Sequence, residues 1–287
     1  MQIFTTIQDT KNYLIAQRIK GKTIGFVPTM GALHPGHMSL IERAKRENDI
    51  VAASIFVNHL QFNDKKDLAK YPRTLESDLE KIKTANCDVA FTPEVKEMYP
   101  EAPPRPFPKV REQAQQVLPM GKDLGWALDL GALDKVMEGL HRPGHFQGVC
   151  VAVKKLFEII EPTKAYFGEK DFQQLAIIKH MVKVLGLKVE IIPCPTVRET
   201  DGLAMSSRNA LLTSDERKNA PHIYQTLVAA KDTNGTISQI KKWVTGQINL
   251  KHFMQLEYFE IVNAETLMPL TLYPIPYTSS RACIAVK

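Results

Sequence analysis

Phe26-Val-Pro-Thr-Met-Gly-Ala-Leu-His-Pro-Gly-His-Met-Ser-Leu-Ile-Glu-Arg-Ala-Lys-Arg46 is the stretch on which the fold turns. Ile24 to Val27 is a short apolar run, the pattern of a buried strand. A turn containing Pro28, Gly31, Pro35 and Gly36 follows. From His37 the pattern becomes helical, with Met38, Leu40, Ile41 and Ala44 on one face. His34 and His37 stand where that helix begins. A helix start gathers free backbone N–H groups and the positive end of the peptide dipoles, which suits phosphate. Gly36 allows close approach of a phosphate to the backbone. Two imidazoles beside it can hydrogen-bond or protonate phosphate oxygens. The stretch therefore predicts a nucleotide site with histidines at the polyphosphate. A metal pair fits less well, because Pro35 and Gly36 interrupt a regular turn between the imidazoles and no third ligand cluster stands nearby.

Working outward, strands and helices alternate. Ile50–Val57 is a second apolar strand, continuous enough to be buried on both faces. Leu75–Ala85 is amphipathic, and Val89–Phe91 is a short strand. Phe146, Val149, Cys150, Val153, Leu156, Phe157 and Ile160 keep helical spacing. Ala165–Phe167 is a strand, Asp171–Leu185 a helix and Val189–Ile192 a strand. This alternation implies an α/β fold, a parallel sheet with helices on both faces that binds ligand at the carboxyl ends of its strands. The His34/His37 turn and the turn Gly168-Glu169-Lys170-Asp171 both follow strands, so they can converge there.

After Pro195 the pattern changes. Thr196–Asn209 is polar, helical segments run over Ser214–Ala230 and Ser238–Ile248, and strands over Leu256–Val262 and Arg281–Val286 are separated by a Pro-rich connection. The expected organisation is a Rossmann-like domain over 1–195 and a smaller C-terminal α+β domain over 196–287 that closes as a lid. Residues 101–125, with their Pro-rich start, read as a surface excursion.

Composition narrows the class. The 287 residues are 44% hydrophobic, enough for a true core. The net charge is +6, but lysines and arginines are scattered, which argues against nucleic acid and suits an enzyme for anionic substrates. Cys87, Cys150, Cys194 and Cys283 form no closely spaced pair, so reduced buried thiols are expected. Gln2 to Lys22 mixes polar and charged residues, unlike a secretory signal. No apolar run approaches the ~20 residues of a membrane helix. A cytoplasmic protein with no membrane contact is expected.

Three further groups bear chemistry. Asn58 and Gln61 follow the second strand; both can donate and accept hydrogen bonds, which suits a hydroxy-acid or amide-like substrate, although turns use the same residues. In the Gly168–Asp171 turn, Gly168 permits a tight backbone, Lys170 offers a compact positive charge for phosphate and Asp171 can cap the next helix. Met205-Ser206-Ser207-Arg208 brings two hydroxyls and a guanidinium that can wrap a polyphosphate; a Ser-rich linker would look similar.

Together these segments resemble the pantoate–β-alanine ligase (pantothenate synthetase) family, of the nucleotidyltransferases with HxGH-type motifs. The resemblance rests on Pro28 to His37, Phe56-Val-Asn58, Leu60-Gln-Phe62, Tyr71-Pro-Arg-Thr74, Arg142-Pro-Gly-His-Phe146, Gly168 to Asp171 with Gln173-Gln174, Pro195 to Glu199 and Asp201 to Asn209, in order along nearly the whole chain. It implies a homodimer that uses ATP and Mg2+ to join pantoate and β-alanine through a pantoyl adenylate, with pyrophosphate and AMP released. It implies an ATP site at Met30, Gly31, Ala32, Leu33, His34, Pro35, Gly36, His37, Gly168, Glu169, Lys170, Asp171, Met205, Ser206, Ser207 and Arg208, with Val197 beside adenine. His34, His37 and Lys170 would be catalytic, His37 as proton donor. Gln61 and Gln174 would hold pantoate, Gln61 also lying near β-alanine, and Asn58 and Tyr71 would border that pocket. No protein ligand for a metal is expected. The competing readings are another HxGH-type nucleotidyltransferase, a tRNA synthetase fragment or a non-catalytic nucleotide-binding relative. His59 stands where the family usually has proline, which predicts a looser loop around Gln61. Asn63 replaces a usual glycine, and the 101–136 segment is longer than usual, predicting an extra element at the pocket rim or dimer edge.

Overall fold

Six strands form one wholly parallel sheet: β1 (Gln2–Phe4), β2 (Ile24–Thr29), β3 (Ile50–Ile55), β4 (Val89–Phe91), β5 (Lys164–Gly168) and β6 (Glu190–Cys194). The computed structural model describes residues 1–100, 126–251, 253–271 and 280–287. The strand order is β1-β4-β3-β2-β5-β6. From β2 the chain builds outward to β3 and β4, then returns to the other side of β2 to add β5 and β6. The order reverses at the β2/β5 boundary, and a crevice opens at such a reversal, outside the strand ends.

The chain packs as two compact units. The first comprises Met1–Leu130 and Arg142–Pro195. Its helices are α1 (Ile7–Ile19), α2 (Pro35–Glu47), α3 (Lys65–Lys70), α4 (Leu75–Thr84), α5 (Val95–Met98), α7 (His145–Ile160) and α8 (Phe172–Val184). The period-2 alternation of β2 explains how both sheet faces are covered. Val27 joins Leu40, Ile41 and Ala44 of α2 and Ile82 of α4 in one buried cluster. Phe26 points the other way and meets Phe157 of α7, ring centroids 6.3 Å apart and nearly edge-to-face. Each face thus has its own helical layer, and truncating a ring such as fully buried Phe26 would cost about 3–5 kcal/mol.

The second unit comprises Gly131–His141 and Thr196–Lys287. It holds α6 (Met137–His141), α9 (Ser214–Asn219), α10 (His222–Lys231), α11 (Ile237–Asn249) and the antiparallel pair β7 (Leu256–Asn263) and β8 (Ser280–Val286). Ile240, Val244 and Ile248 of α11 pack on Phe259 and Ile261 of β7. The helix expected over Ser214–Ala230 is broken in two. Pro221 lacks the N–H a continuous helix needs, and it starts α10 instead. β1 and α1 occupy the N-terminal stretch where no element was expected. β1 is a short edge strand, and α1 buries Thr10 and Gln17 beside Leu14, which blurs its apolar stripe.

The Pro-rich start at Glu101 and most of the expected rim element lie outside the described residues, as does most of the connection before β8. No helix among the described residues is long and apolar enough to cross a membrane.

Candidate active site

The two expected loops lie at the carboxyl ends of β2 and β5, the adjacent strands flanking the reversal. In the first, Gly31 (φ 83°) and Ala32 (φ 49°) both take left-handed backbone. Glycine adopts that conformation freely; alanine does so only when held. The holding group is Asp78, on the first turn of α4 and fully buried. Its carboxylate accepts the N–H of Ala32 and that of Leu33, each at 2.8 Å, and the Thr74 hydroxyl at 3.1 Å. A Cβ on Gly31 would lie 3.1 Å from Asp78 Oδ2. Lys81, one turn further on, donates to the Leu33 carbonyl at 2.9 Å. Sequence reasoning missed Asp78 and Lys81. An acidic residue in a helix's first turn ordinarily reads as exposed dipole compensation, and only burial reveals a loop anchor.

His34 is the N-cap residue of α2, and Pro35 starts its first turn. The imidazoles of His34 and His37 lie 4.0 Å apart, centroid to centroid. The backbone N–H of His34 donates to His37 Nδ1 at 3.3 Å. That bond fixes the tautomer of His37: Nδ1 accepts, so Nε2 carries the proton. Nδ1 of His34 is buried with no hydrogen-bond partner among the described residues. Burial, reinforced by the Lys170 charge, pushes His34 down to about 4. Burial and then neighbouring His34 push His37 down to about 3. Both rings are neutral at pH 7, and Lys170, Asp171 and Lys81 all act on them electrostatically. The two turns therefore converge.

At the second turn the structure corrects two expectations. Gly168 has ordinary extended backbone rather than a tight conformation, and a Cβ there would make only an ordinary contact, 4.0 Å from the Lys170 nitrogen. Asp171 occupies the N-cap position of α8 but makes no capping hydrogen bond through its side chain. Its carboxylate accepts from Lys170 Nζ at 2.8 Å instead.

Asn58 and Gln61 meet. Asn58 is buried and donates through Nδ2 to Gln61 Oε1 at 3.1 Å, while Gln61 Nε2 donates to Met30 Sδ at 3.0 Å. Gln61 is thus wired to the histidine-bearing loop. Tyr71 is buried edge-on to Phe62, centroids 5.6 Å apart. Gln174 lies half-buried on the first turn of α8 and makes no hydrogen bond to Gln61 among the described residues. The loosening expected at His59 is countered. Asn58 caps the turn His59–Gln61, and Asn63 donates to the Pro143 carbonyl at 2.9 Å.

In the second unit, the polar stretch is a small hairpin. Met205 N–H donates to the Val197 carbonyl at 3.0 Å, placing those two residues side by side. Tyr224 of α10 stacks under the Arg198 guanidinium, 3.7 Å from the ring centroid, and Asp201 pairs with Arg217 of α9. Ser206 caps the turn Ser207–Leu211 through Arg208 N–H.

Strand order, a histidine pair at a helix start and a lysine turn across the reversal define an α/β nucleotide-binding protein equipped for phosphate chemistry. The comparisons narrow this. The family model for pantoate-β-alanine ligase matches residues 2–287. The pantothenate synthetase of Porphyromonas gingivalis (strain W83) is 48% identical over 272 residues, 94% of this chain and 89% of that protein. That of Flavobacterium psychrophilum is 48% identical over 271 residues, 93% and 89% of the two chains. The crystal structure of pantothenate synthetase from Thermus thermophilus superposes with a TM-score of 0.84 at 39% identity, covering all of this chain and 95% of that one. A Francisella tularensis pantoate-β-alanine ligase, complexed with βγ ATP and β-alanine, gives 0.75 at 36% identity, covering 91% and 89%. The chain belongs to the pantoate–β-alanine ligase family.

Proposed function

We propose that the chain activates pantoate with ATP and passes the acyl group to β-alanine, with its residues dividing the work as follows. In the first half-reaction a pantoate carboxylate oxygen attacks the α-phosphorus of ATP. The bond to the β,γ-pyrophosphate breaks, and pantoyl adenylate forms. In the second, the β-alanine amine attacks the acyl carbon, and AMP leaves as pantothenate forms. An anion attacking an anion needs its repulsion neutralised. Lys170, Lys81 and the dipole of α2 supply positive potential. His34 and His37 supply neutral N–H donors held in place before the nucleotide arrives. His37 Nε2–H is the donor aimed at the phosphates. A bound triphosphate would raise the proton affinity of both rings, which favours His37 as proton donor to the departing pyrophosphate.

Met30 to His37 and Gly168 to Asp171 form the polyphosphate side of the ATP site in this reading. Val197, beside Met205, is assigned to adenine, and Ser206, Ser207 and Arg208 are assigned to the phosphates. Gln61 and Gln174 hold pantoate, bordered by Asn58 and Tyr71. ATP enters as its magnesium complex. Magnesium usually keeps waters and takes substrate phosphate oxygens as ligands, and no protein ligand is assigned to it. A cytoplasmic homodimer completes the reading, with sedimentation velocity as the test of assembly.

The observation that carries the assignment is the pair of neutral imidazoles at the start of α2, under the charge of Lys170. The test uses pantoate labelled with 18O in its carboxylate. Attack on the α-phosphorus delivers one labelled oxygen to AMP. ADP together with labelled inorganic phosphate, in place of labelled AMP, would mean attack at the γ-phosphate and would overturn the adenylate route.

A further inference from the structure

The first turn of α7 carries neither a phosphate-facing group nor a residue assigned to substrate, yet it touches the Asn58–Gln61 turn at three points. His145 Nδ1 lies 2.7 Å from the Gln61 carbonyl oxygen, so the ring must donate to it. The Gly148 carbonyl accepts from Asn58 Nδ2 at 3.0 Å, the same nitrogen that donates to Gln61 Oε1. A Cβ on Gly148 would lie 2.3 Å from the Leu60 carbonyl oxygen and 2.8 Å from the Gln61 nitrogen. Glycine is therefore the residue that lets the helix sit directly on this backbone. Behind Asn58, the buried Tyr99 hydroxyl donates to its Oδ1 at 3.1 Å. The main chain of Gln61 is thus clamped by His145, seated by Gly148, and joined through Asn58 to its own side chain.

We propose that His145 and Gly148 are positioning residues for the hydroxy-acid subsite: they set where the Gln61 amide points without touching substrate. This rests on the assignment of Gln61 to pantoate. A side-chain amide displaced by a fraction of an ångström loses hydrogen-bond geometry steeply, so the effect belongs on the KM for pantoate rather than that for ATP.

The experiment is steady-state kinetics, with both substrates varied, on His145→Ala, His145→Asn, His145→Gln, Gly148→Ala and Gln61→Ala enzymes. The Asn amide nitrogen falls near the position of imidazole Nδ1, whereas the Gln amide falls nearer Nε2. The expected result is a pantoate KM raised about tenfold or more in His145→Ala and Gly148→Ala, with the ATP KM within about twofold of wild type. His145→Asn recovers most of the loss, and the larger His145→Gln does not. Should the alanine variants not fold, the Asn and Gln pair decides, because a space-filling role would favour Gln. Unchanged pantoate KM in the His145 variants while Gln61→Ala raises it would overturn the clamp alone. Unchanged pantoate KM in Gln61→Ala would overturn the assignment of Gln61, and the clamp with it. A common rise in both KM values would mark general loss of packing and also overturn it.

Discussion

Asp78 Oδ1 accepts the backbone N–H of Leu33 at 2.8 Å, joining the first turn of α4 to the loop that carries the histidines. With its second oxygen on Ala32, one buried carboxylate fixes two consecutive N–H groups and holds a non-glycine residue in left-handed backbone. The histidine-bearing loop is shaped by this anion beneath it.

Replacing Asp78 should therefore damage stability and nucleotide binding together. Asp78→Ala removes the carboxylate that accepts from the buried Leu33 N–H and from the Ala32 N–H, at about 1–3 kcal/mol for the buried one. Urea unfolding should show an unfolding free energy lower by that amount, and the ATP KM should rise. Wild-type stability in Asp78→Ala would mean the loop keeps its shape by other contacts.

Gly31→Ala is expected to be worse than an ordinary loop substitution. It places a Cβ at φ 83° and within 3.2 Å of Asp78 Oδ2 and Ile55 Cγ2. A loss of about 1–2 kcal/mol is expected from left-handed strain alone. Gly186→Ala is the control: φ is also positive at 60°, but nothing lies within 4 Å. Equal losses at the two sites would remove the role of the contact.

The histidine pair gives a pH signature. Folding lowers His34 from 6.5 to about 4 and His37 from 6.5 to about 3. Between those values the unfolded chain binds more protons than the folded one, so stability rises with pH there. The contribution is complete above about pH 6.5 and is lost as pH falls toward 4 and then 3. His59, lowered by burial, adds in the same direction. A His34→Gln/His37→Gln protein should show a shallower fall of unfolding midpoint between pH 6.5 and 4 than wild type. Parallel curves would show that the rings do not titrate as described.

Much of this was legible in the sequence, for reasons that differ by residue. Val27, Leu40, Ile41 and Ala44 repeat with strand and helix periods, so the strand–turn–helix at the centre followed from pattern. His34, His37 and Lys170 were readable because turns after parallel strands meet at one sheet edge. Asp78 was not readable, since its importance depends on burial by groups distant in the chain. Asp171 looked like a cap, but its carboxylate is drawn to the adjacent ammonium. The apolar pattern over Ser214–Ala230 read as one helix, and Pro221, which the pattern ran through, breaks it in two. Gly148 showed only as a glycine within a helical run; its contact with Leu60 is tertiary.

In the second unit, Tyr224 under Arg198 should hold the Val197–Met205 hairpin to α10. Tyr224→Ala removes a cation–π contact worth about 0.5–1 kcal/mol, so the ATP KM should rise about threefold with the pantoate KM unchanged. A pantoate effect without an ATP effect would contradict the placement of adenine beside Val197.

The central claim is that the imidazoles at the start of α2 act on the polyphosphate in the first half-reaction. The most direct measurement is rapid-quench pyrophosphate formation from ATP, magnesium and pantoate, without β-alanine, on wild type and His37→Ala. Wild type should form about one equivalent per site and stop, and His37→Ala should reach the same amplitude about 10²–10³ times more slowly. Equal rates in the two proteins would contradict the claim and leave the histidine pair a structural feature of the loop.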